Sequence, residues 1–252
     1  VTRAGSVVFD CDSTLSAIEG IEWVSAGNPE VERLTRAAMD GEVPLEAVYA
    51  RRLERVRPDR ATVSRLGRAY IDALVPDTRE VVAALLAEGI AVRVISGGLL
   101  PAVRVLAQDL GITGDDVAAV DVFFDAAGAY SGFDTASPLA RAGGKREVLE
   151  AWGRALRRPS LLVGDGMTDL EARSAVDVFV AFAGVAVRDP VVAAADHVIR
   201  ACSLAPVLPL ALAGRPPRAK AAVAVFERGF ALLEPADRVR LQHQPERELQ
   251  RD

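Results

Sequence analysis

Along the chain, short apolar runs suited to buried strands alternate with segments whose apolar residues recur at helical spacing. Val7-Val8-Phe9 read as the end of a buried strand, and Ser13-Thr14 break that run into a loop or helix cap. From Pro76 the alternation is regular. Residues 79–88 carry Val81, Val82, Leu85 and Leu86 on one face and stop at Gly89, which predicts a helix with a glycine end. A strand is expected at 91–95. Ser96-Gly97 is then expected to open a helix that has Pro101 in its first turn and runs to Leu110. Residues 120–124 and 129–133, joined through Ala127-Gly128, read as a hairpin. A helix over about 144–156 precedes a strand at 161–163, a loop at 164–168 and a short helix at 169–174. Strands near 178–182 and 197–199 complete the pattern. Strands alternating with helices predict an α/β fold, a doubly wound, mostly parallel sheet with a Rossmann-like core.

The segment 16–75 has a different rhythm. Val31, Leu34 and Ala38, then Leu45, Val48, Leu53 and Val56, recur at helical spacing. Gly27-Asn28-Pro29, Asp40-Gly41 and Arg57-Pro58-Asp59 cut the segment into short helices. The organisation expected is a catalytic core of 1–15 and 76–200, a small helical cap of 16–75 inserted after the first strand, and a helical extension of 201–252. The cap stands where a lid would. In the extension, the apolar stretch 204–212, the break at Arg215-Pro216-Pro217, a helix over 221–233 and a strongly charged end read as an extra surface helix with a frayed end, with an oligomer contact as the alternative.

Composition narrows the classes. The 252 residues are 50% hydrophobic and 26% charged, which is globular and large enough for a substantial core with a smaller insert. A net charge of −5 disfavours non-specific nucleic-acid binding. The longest apolar run, 178–187, ends at Arg188 and is too short to cross a membrane. Cys11 and Cys202 make a poor basis for a disulfide framework, and Cys11 reads as a small buried residue. A cytoplasmic monomer or homodimer is the expectation, with no nucleic-acid or membrane partner.

Candidate chemistry gathers at four places, each at a strand end or a helix start. Asp10 and Asp12 follow the first strand, where open α/β sheets bind their ligands. Ser96-Gly97 would supply a hydroxyl and backbone N–H groups to an anion. Lys145 follows Gly143-Gly144, yet this is no nucleotide loop: Leu139 stands where the upstream glycine is needed, and Arg146 where Ser or Thr is. Gly164-Asp165-Gly166-Met167-Thr168-Asp169 packs two acids and two glycines after a strand. Asp10, Asp12 and Asp165 offer the hard oxygens that suit Mg²⁺. Lys145 and the ion would neutralise a phosphate, while Ser96 and nearby amides would hold its oxygens. Two carboxylates would then divide the work into making and hydrolysing an aspartyl phosphate.

In that order these motifs resemble the haloacid dehalogenase superfamily of phosphatases and, within it, the phosphoserine phosphatase family, over about 6–200. The resemblance implies Asp10 as nucleophile and Asp12 as general acid/base. It implies Mg²⁺ held by Asp10, the Asp12 main-chain carbonyl and Asp165, with Asp169 supporting the metal shell and Lys145, and Ser96 holding the phosphoryl group. Gly97 and Thr168 fall at substrate-binding positions. In the cap, Glu19 resembles the family's ammonium-binding residue, Arg52 its carboxylate-binding residue and Met39 its apolar lid residue. An Arg suits a planar carboxylate better than a Lys. Leu45 departs from the aromatic residue frequent in the family, and Met167 from a small one. The activity implied is Mg²⁺-dependent hydrolysis of L-phosphoserine, a small phosphate ester, in serine biosynthesis. The same chemistry on another phosphate monoester, transfer to an alcohol, and a receiver-type signalling domain phosphorylated on Asp are the alternatives.

Overall fold

A computed structural model describes residues 2–39 and 42–242. The core is a six-stranded parallel sheet. Its strands are β1 (Ser6–Phe9), β2 (Ala91–Leu99), β3 (Val117–Val120), β6 (Ser160–Gly164), β7 (Val178–Phe182) and β8 (His197–Ile199), in the order β3-β2-β1-β6-β7-β8. All four residues of β1 are buried, as a central parallel strand covered on both faces requires. Register does most to build the site. Phe9 pairs with Val94 of β2 and with Val163 of β6, so Asp10, Ser96 and Asp165, one or two residues beyond these partners, stand near one level. A separate two-stranded antiparallel ribbon, β4 (Val122–Phe124) and β5 (Tyr130–Phe133), stands beside the sheet.

Between β1 and β2 lie α1 (Gly20–Val24), α2 (Pro29–Met39), α3 (Leu45–Val56), α4 (Arg60–Asp72) and α5 (Thr78–Ala87). Helix α4 starts on Asp59, whose side chain accepts from Thr62 N. The insert joins the core through a small hinge, where Ser16 bridges to Leu74 and Ala17 N donates to Ala73 O. After β2 come α6 (Leu100–Asp109), α7 (Gly144–Trp152), α8 (Met167–Glu171) and α9 (Asp189–Ala194). The chain then continues into α10 (Val207–Ala211), α11 (Val223–Leu232) and α12 (Pro235–Gln242). No helix among the described residues is long and apolar enough to cross a membrane.

Three local expectations are corrected. Val120 ends a strand of the main sheet rather than opening the hairpin, because Val117 and Val120 face the buried interior. Ser96 and Gly97 do not begin a helix. Strand β2 runs on to Leu99 through a register shift, and α6 starts only at Leu100. The stretch 204–212 is not a surface helix either: Leu204, Ala205, Val207 and Leu208 are fully buried in the main core. Ala4 N donates to Ala211 O, and Ser203 Oγ to Asp77 Oδ2, so this stretch is fastened to the core at both ends.

Candidate active site

Asp10 is the first residue past β1, and its side chain is turned inward by its own neighbour, with Cys11 N donating to Asp10 Oδ1 at 2.7 Å. Residues 11–15 form one wide turn in which Ser13 adopts a left-handed φ of 50°. That turn swings Asp12 to the same side as Asp10. It also lets Ser13 Oγ donate to Glu19 Oε1 at 2.6 Å, and Thr14 Oγ1 to Asp165 Oδ1 at 3.2 Å. Cys11 is fully buried behind the turn, as its sequence position implied.

Lys145, at the start of α7, binds the carboxylates together. Its Nζ lies 2.9 Å from Asp10 Oδ1 and 2.7 Å from Asp169 Oδ1, with all three side chains almost wholly enclosed. Burial alone would lower the Lys145 pKa, but the Asp10 and Asp169 carboxylates outweigh it and raise it, so the ammonium is permanent. Asp169 is held in turn by Gly166 N at 3.0 Å. It packs so closely under β6 that a Cβ on Gly164 would stand 2.2 Å from its Cγ, so only glycine admits this carboxylate.

Asp10, Asp165 and Asp169 place carboxylate oxygens within 4.8 Å of one another, all buried. The electrostatics expose a deficit of positive charge. Burial, then the neighbouring Asp169, pushes the Asp10 carboxyl well above its ordinary range, against the pull of Lys145. Burial likewise pushes Asp165 up to about 6, although Arg188 opposes it. A cluster of buried, hard oxygen donors that resist ionising is the donor set a divalent cation satisfies.

Asp12 and Ser96 complete the floor. Asp12 Oδ1 accepts from Gly20 N at 2.6 Å and from Tyr70 Oη at 2.7 Å, and its Oδ2 accepts from Ser96 Oγ at 3.3 Å. Gly98 N donates to Ser96 Oγ at 2.9 Å, which the irregular end of β2 makes possible.

A cavity opens above this floor, between the core and the helices of the insert. Asp10, Asp12, Gly97, Lys145 and Thr168 line it from below, and Glu19, Arg52 and Tyr49 from the insert. Ser96, Asp165 and Asp169 are not among its lining residues and lie beneath. Arg52 is 6% exposed. Its Nη1 donates to Thr35 Oγ1 at 3.2 Å, its Nε has no hydrogen-bond partner, and it has no ion pair among the described residues. Its guanidinium carbon lies 5.7 Å from the centre of the Tyr49 ring. Tyr49 Oη donates to Gly97 O at 2.8 Å, a direct tie between α3 and the floor. Burial, then the charges of Asp12 and Asp165, raises Glu19 to about 8. The side chain of Met39 lies outside the described residues.

Three residues here escaped sequence reasoning. Tyr49 and Tyr70 sit at ordinary apolar positions of helical patterns, and nothing local distinguishes their hydroxyls. Arg188 left a signal, as the charge that ends the longest apolar run. It ion-pairs with Asp165 and lies 3.9 Å from Glu19 Oε1.

Comparison with known proteins matches residues 7–173 to the family model of haloacid dehalogenase-like hydrolases. Bovine phosphoserine phosphatase is 36% identical over 192 residues, which cover 75% of this chain and 85% of that protein. Among solved structures, a substrate-bound phosphoserine phosphatase complex superposes with a TM-score of 0.71 at 22% identity, covering 83% of this chain and 99% of that one. A phospho-aspartyl intermediate analogue of phosphoserine phosphatase gives 0.66 at 23% identity, over 83% and 99% of the two chains. At such identities the structural likeness establishes the fold, while the family follows from the sequence matches. By the span of its family match and by a relative more than one-third identical over three-quarters of its length, this chain belongs to the haloacid dehalogenase-like hydrolases.

Proposed function

We propose that the chain is a magnesium-dependent phosphatase that hydrolyses L-phosphoserine to serine and phosphate through an aspartyl phosphate on Asp10. The observation that carries this reading is the pairing of two kinds of site in one cavity. Lys145 and the buried aspartates form a phosphoryl-transfer floor, while Glu19 and the guanidinium of Arg52, without an ion pair among the described residues, face it from the insert. An amino acid ester needs one anion for its ammonium and one cation for its carboxylate, above a floor that takes the phosphate. The activity of the relatives agrees with it.

Asp10 Oδ1 is occupied by Cys11 N and Lys145 Nζ, so Oδ2 is the oxygen left to attack phosphorus. The Asp10–phosphorus bond forms as the ester P–O bond breaks, and the serine oxygen leaves with a proton from Asp12. Water then attacks the aspartyl phosphate and gives Asp12 its proton, and the bond to Asp10 breaks to release phosphate. Lys145, the Ser96 hydroxyl and the Gly97 amide hold the phosphoryl oxygens through both steps. Asp10, the Asp12 main-chain carbonyl and Asp165, with Asp169 in support, would hold Mg²⁺, and the bound ion would supply the positive charge that lets a carboxylate approach a phosphate dianion. Thr168 borders the phosphate from α8, and Met39 is assigned to the apolar wall of the cap. Residues 1–15 and 76–200 act as the catalytic unit, 16–75 as its cap and 201–252 as an extension. Two free cysteines, Cys202 exposed, agree with a reducing compartment, and we assign the chain to the cytoplasm.

The test is phosphate release with Mg²⁺ from L-phosphoserine, phosphothreonine, phosphocholine, phosphoglycolate and an aryl phosphate. A strong preference for phosphoserine is expected. Activity greatest on a member without an amino acid head would remove the Glu19 and Arg52 assignments but keep the catalytic floor. No release from any member would overturn the phosphatase reading.

A further inference from the structure

We propose that Tyr70 is a positioning residue that aims Asp12 at the leaving oxygen, and that Gly20 lacks a side chain in order to admit the Tyr70 hydroxyl; this rests on the reading of Asp12 as the proton carrier. A carboxyl group that carries a proton to a leaving oxygen must work from one of its own oxygens. Proton transfer requires that oxygen within hydrogen-bond reach of the reacting atom, and a carboxyl free to rotate spends its time in other orientations. Asp12 Oδ1 accepts two strong donors, Gly20 N at 2.6 Å and Tyr70 Oη at 2.7 Å. Together they fix the plane of the group and occupy one oxygen. Oδ2, on the Ser96 side at 3.3 Å from Ser96 Oγ, is the oxygen that remains for the moving proton.

Packing around Tyr70 argues that its hydroxyl is placed for this contact. The residue is fully buried, and Asp12 is the hydrogen-bond partner of its hydroxyl among the described residues. A Cβ on Gly20 would stand 2.0 Å from Tyr70 Oη, inside any allowed contact. Phenol and missing side chain are therefore two halves of one arrangement. Tyr70 also comes from the part of the insert most firmly tied to the core. Gly67 of α4 packs against Val105 of α6, and Ser16 Oγ, at the hinge, donates to Tyr70 O at 3.0 Å. A residue that only filled space here would serve equally well as phenylalanine.

Tyr70→Phe keeps the ring and removes the hydroxyl. It is to be compared with the wild type on two substrates: an alkyl phosphate, whose leaving oxygen needs a proton, and an aryl phosphate, whose leaving oxygen does not. On phosphoserine, kcat should fall roughly tenfold to a hundredfold, the range of a hydrogen bond to a charged group, with KM within about twofold. Pre-steady-state release of the aryl alcohol, which reports phosphorylation of Asp10 alone, should fall less than about threefold. Equal losses on the two esters, or no loss on the alkyl ester, would overturn the assignment. Thermal unfolding of the variant separates these outcomes from misfolding. Should Tyr70→Phe fail to fold, Gly20→Ala, which needs no unusual backbone angle, expels the same hydroxyl from the other side and should give the same split between esters. Wild-type protein inactive on phosphoserine would overturn the substrate reading alone. The comparison then uses whichever small alkyl phosphate is hydrolysed.

Discussion

Arg188 and Asp165 form an ion pair inside the site, joining the loop after β7 to the loop after β6. The Arg188 side chain is only 10% exposed and carries the nearest counter-charge to a carboxyl that burial pushes up to about 6. Breaking a buried pair from one side leaves an uncompensated carboxylate. Arg188→Ala should therefore lower metal-free stability by about 3 kcal/mol. Added Mg²⁺ should raise its melting temperature by more than it raises that of the wild type, because the ion then supplies the missing charge. Melting curves with and without Mg²⁺ check this, and a variant as stable as wild type without metal would show that the pair carries little weight.

Asp10→Asn removes the proposed nucleophile and the Asp10 half of the Lys145 ion pairs, while Lys145 keeps Asp169. The amide oxygen can still accept from Cys11 N, and one of several mutually repelling carboxylates is gone. Phosphate release should fall by at least roughly a thousandfold, a conservative bound beside the roughly millionfold loss seen when a covalent nucleophile is removed, while the melting temperature stays near the wild-type value. Retention of near-normal turnover would exclude a covalent route through Asp10.

Arg52→Ala bears on recognition. Removing the guanidinium should raise KM for phosphoserine roughly tenfold to a hundredfold, as for a lost charge-assisted hydrogen bond, and change KM for an aryl phosphate little. Parallel increases for both substrates would assign Arg52 to the architecture of α3 instead.

Glu19 gives a pH signature. Its pKa is raised to about 8, so below that pH the free protein carries a neutral carboxylic acid at the proposed ammonium site. KM for phosphoserine should rise as pH falls through about 8, and the aryl phosphate should lack that limb. A bound cation favours the ionised form, so saturating Mg²⁺ should move the limb to lower pH. Linkage gives the matching sign for stability. The folded protein holds this proton more tightly than the unfolded chain, so Glu19 favours the metal-free fold at low pH. That contribution is lost as pH rises from near 4.5 through about 8. Glu19→Gln should abolish the KM limb, read by initial rates, and weaken the fall of melting temperature with pH, to which the raised Asp10 and Asp165 carboxyls also contribute.

The sequence by itself determined the α/β class, the insert after the first strand, and the positions of Asp10, Asp12, Lys145, Asp165 and Asp169. These were legible because they depend on local signals: a buried parallel strand is a continuous apolar run, and the residues that follow it are freed from pairing. The acids stand where such runs end, and the register of β1 with β2 and β6 brings them to one level. What only the tertiary structure decided depends on which distant segments touch. The irregular end of β2 at Ser96 arises from pairing with β3, 21 or more residues further along the chain, and no local rule anticipates it. Residues 204–212 join the core because they pack against α5 and α11, a fact absent from their own composition. Tyr70, Tyr49 and Arg188 look like ordinary core and surface residues in sequence. Each gains its place from long-range hydrogen bonds or ion pairs, among them those to Asp12, Gly97 and Asp165. Periodicity records which face of an element is buried, but not which buried hydroxyl or guanidinium meets a carboxylate from another part of the chain.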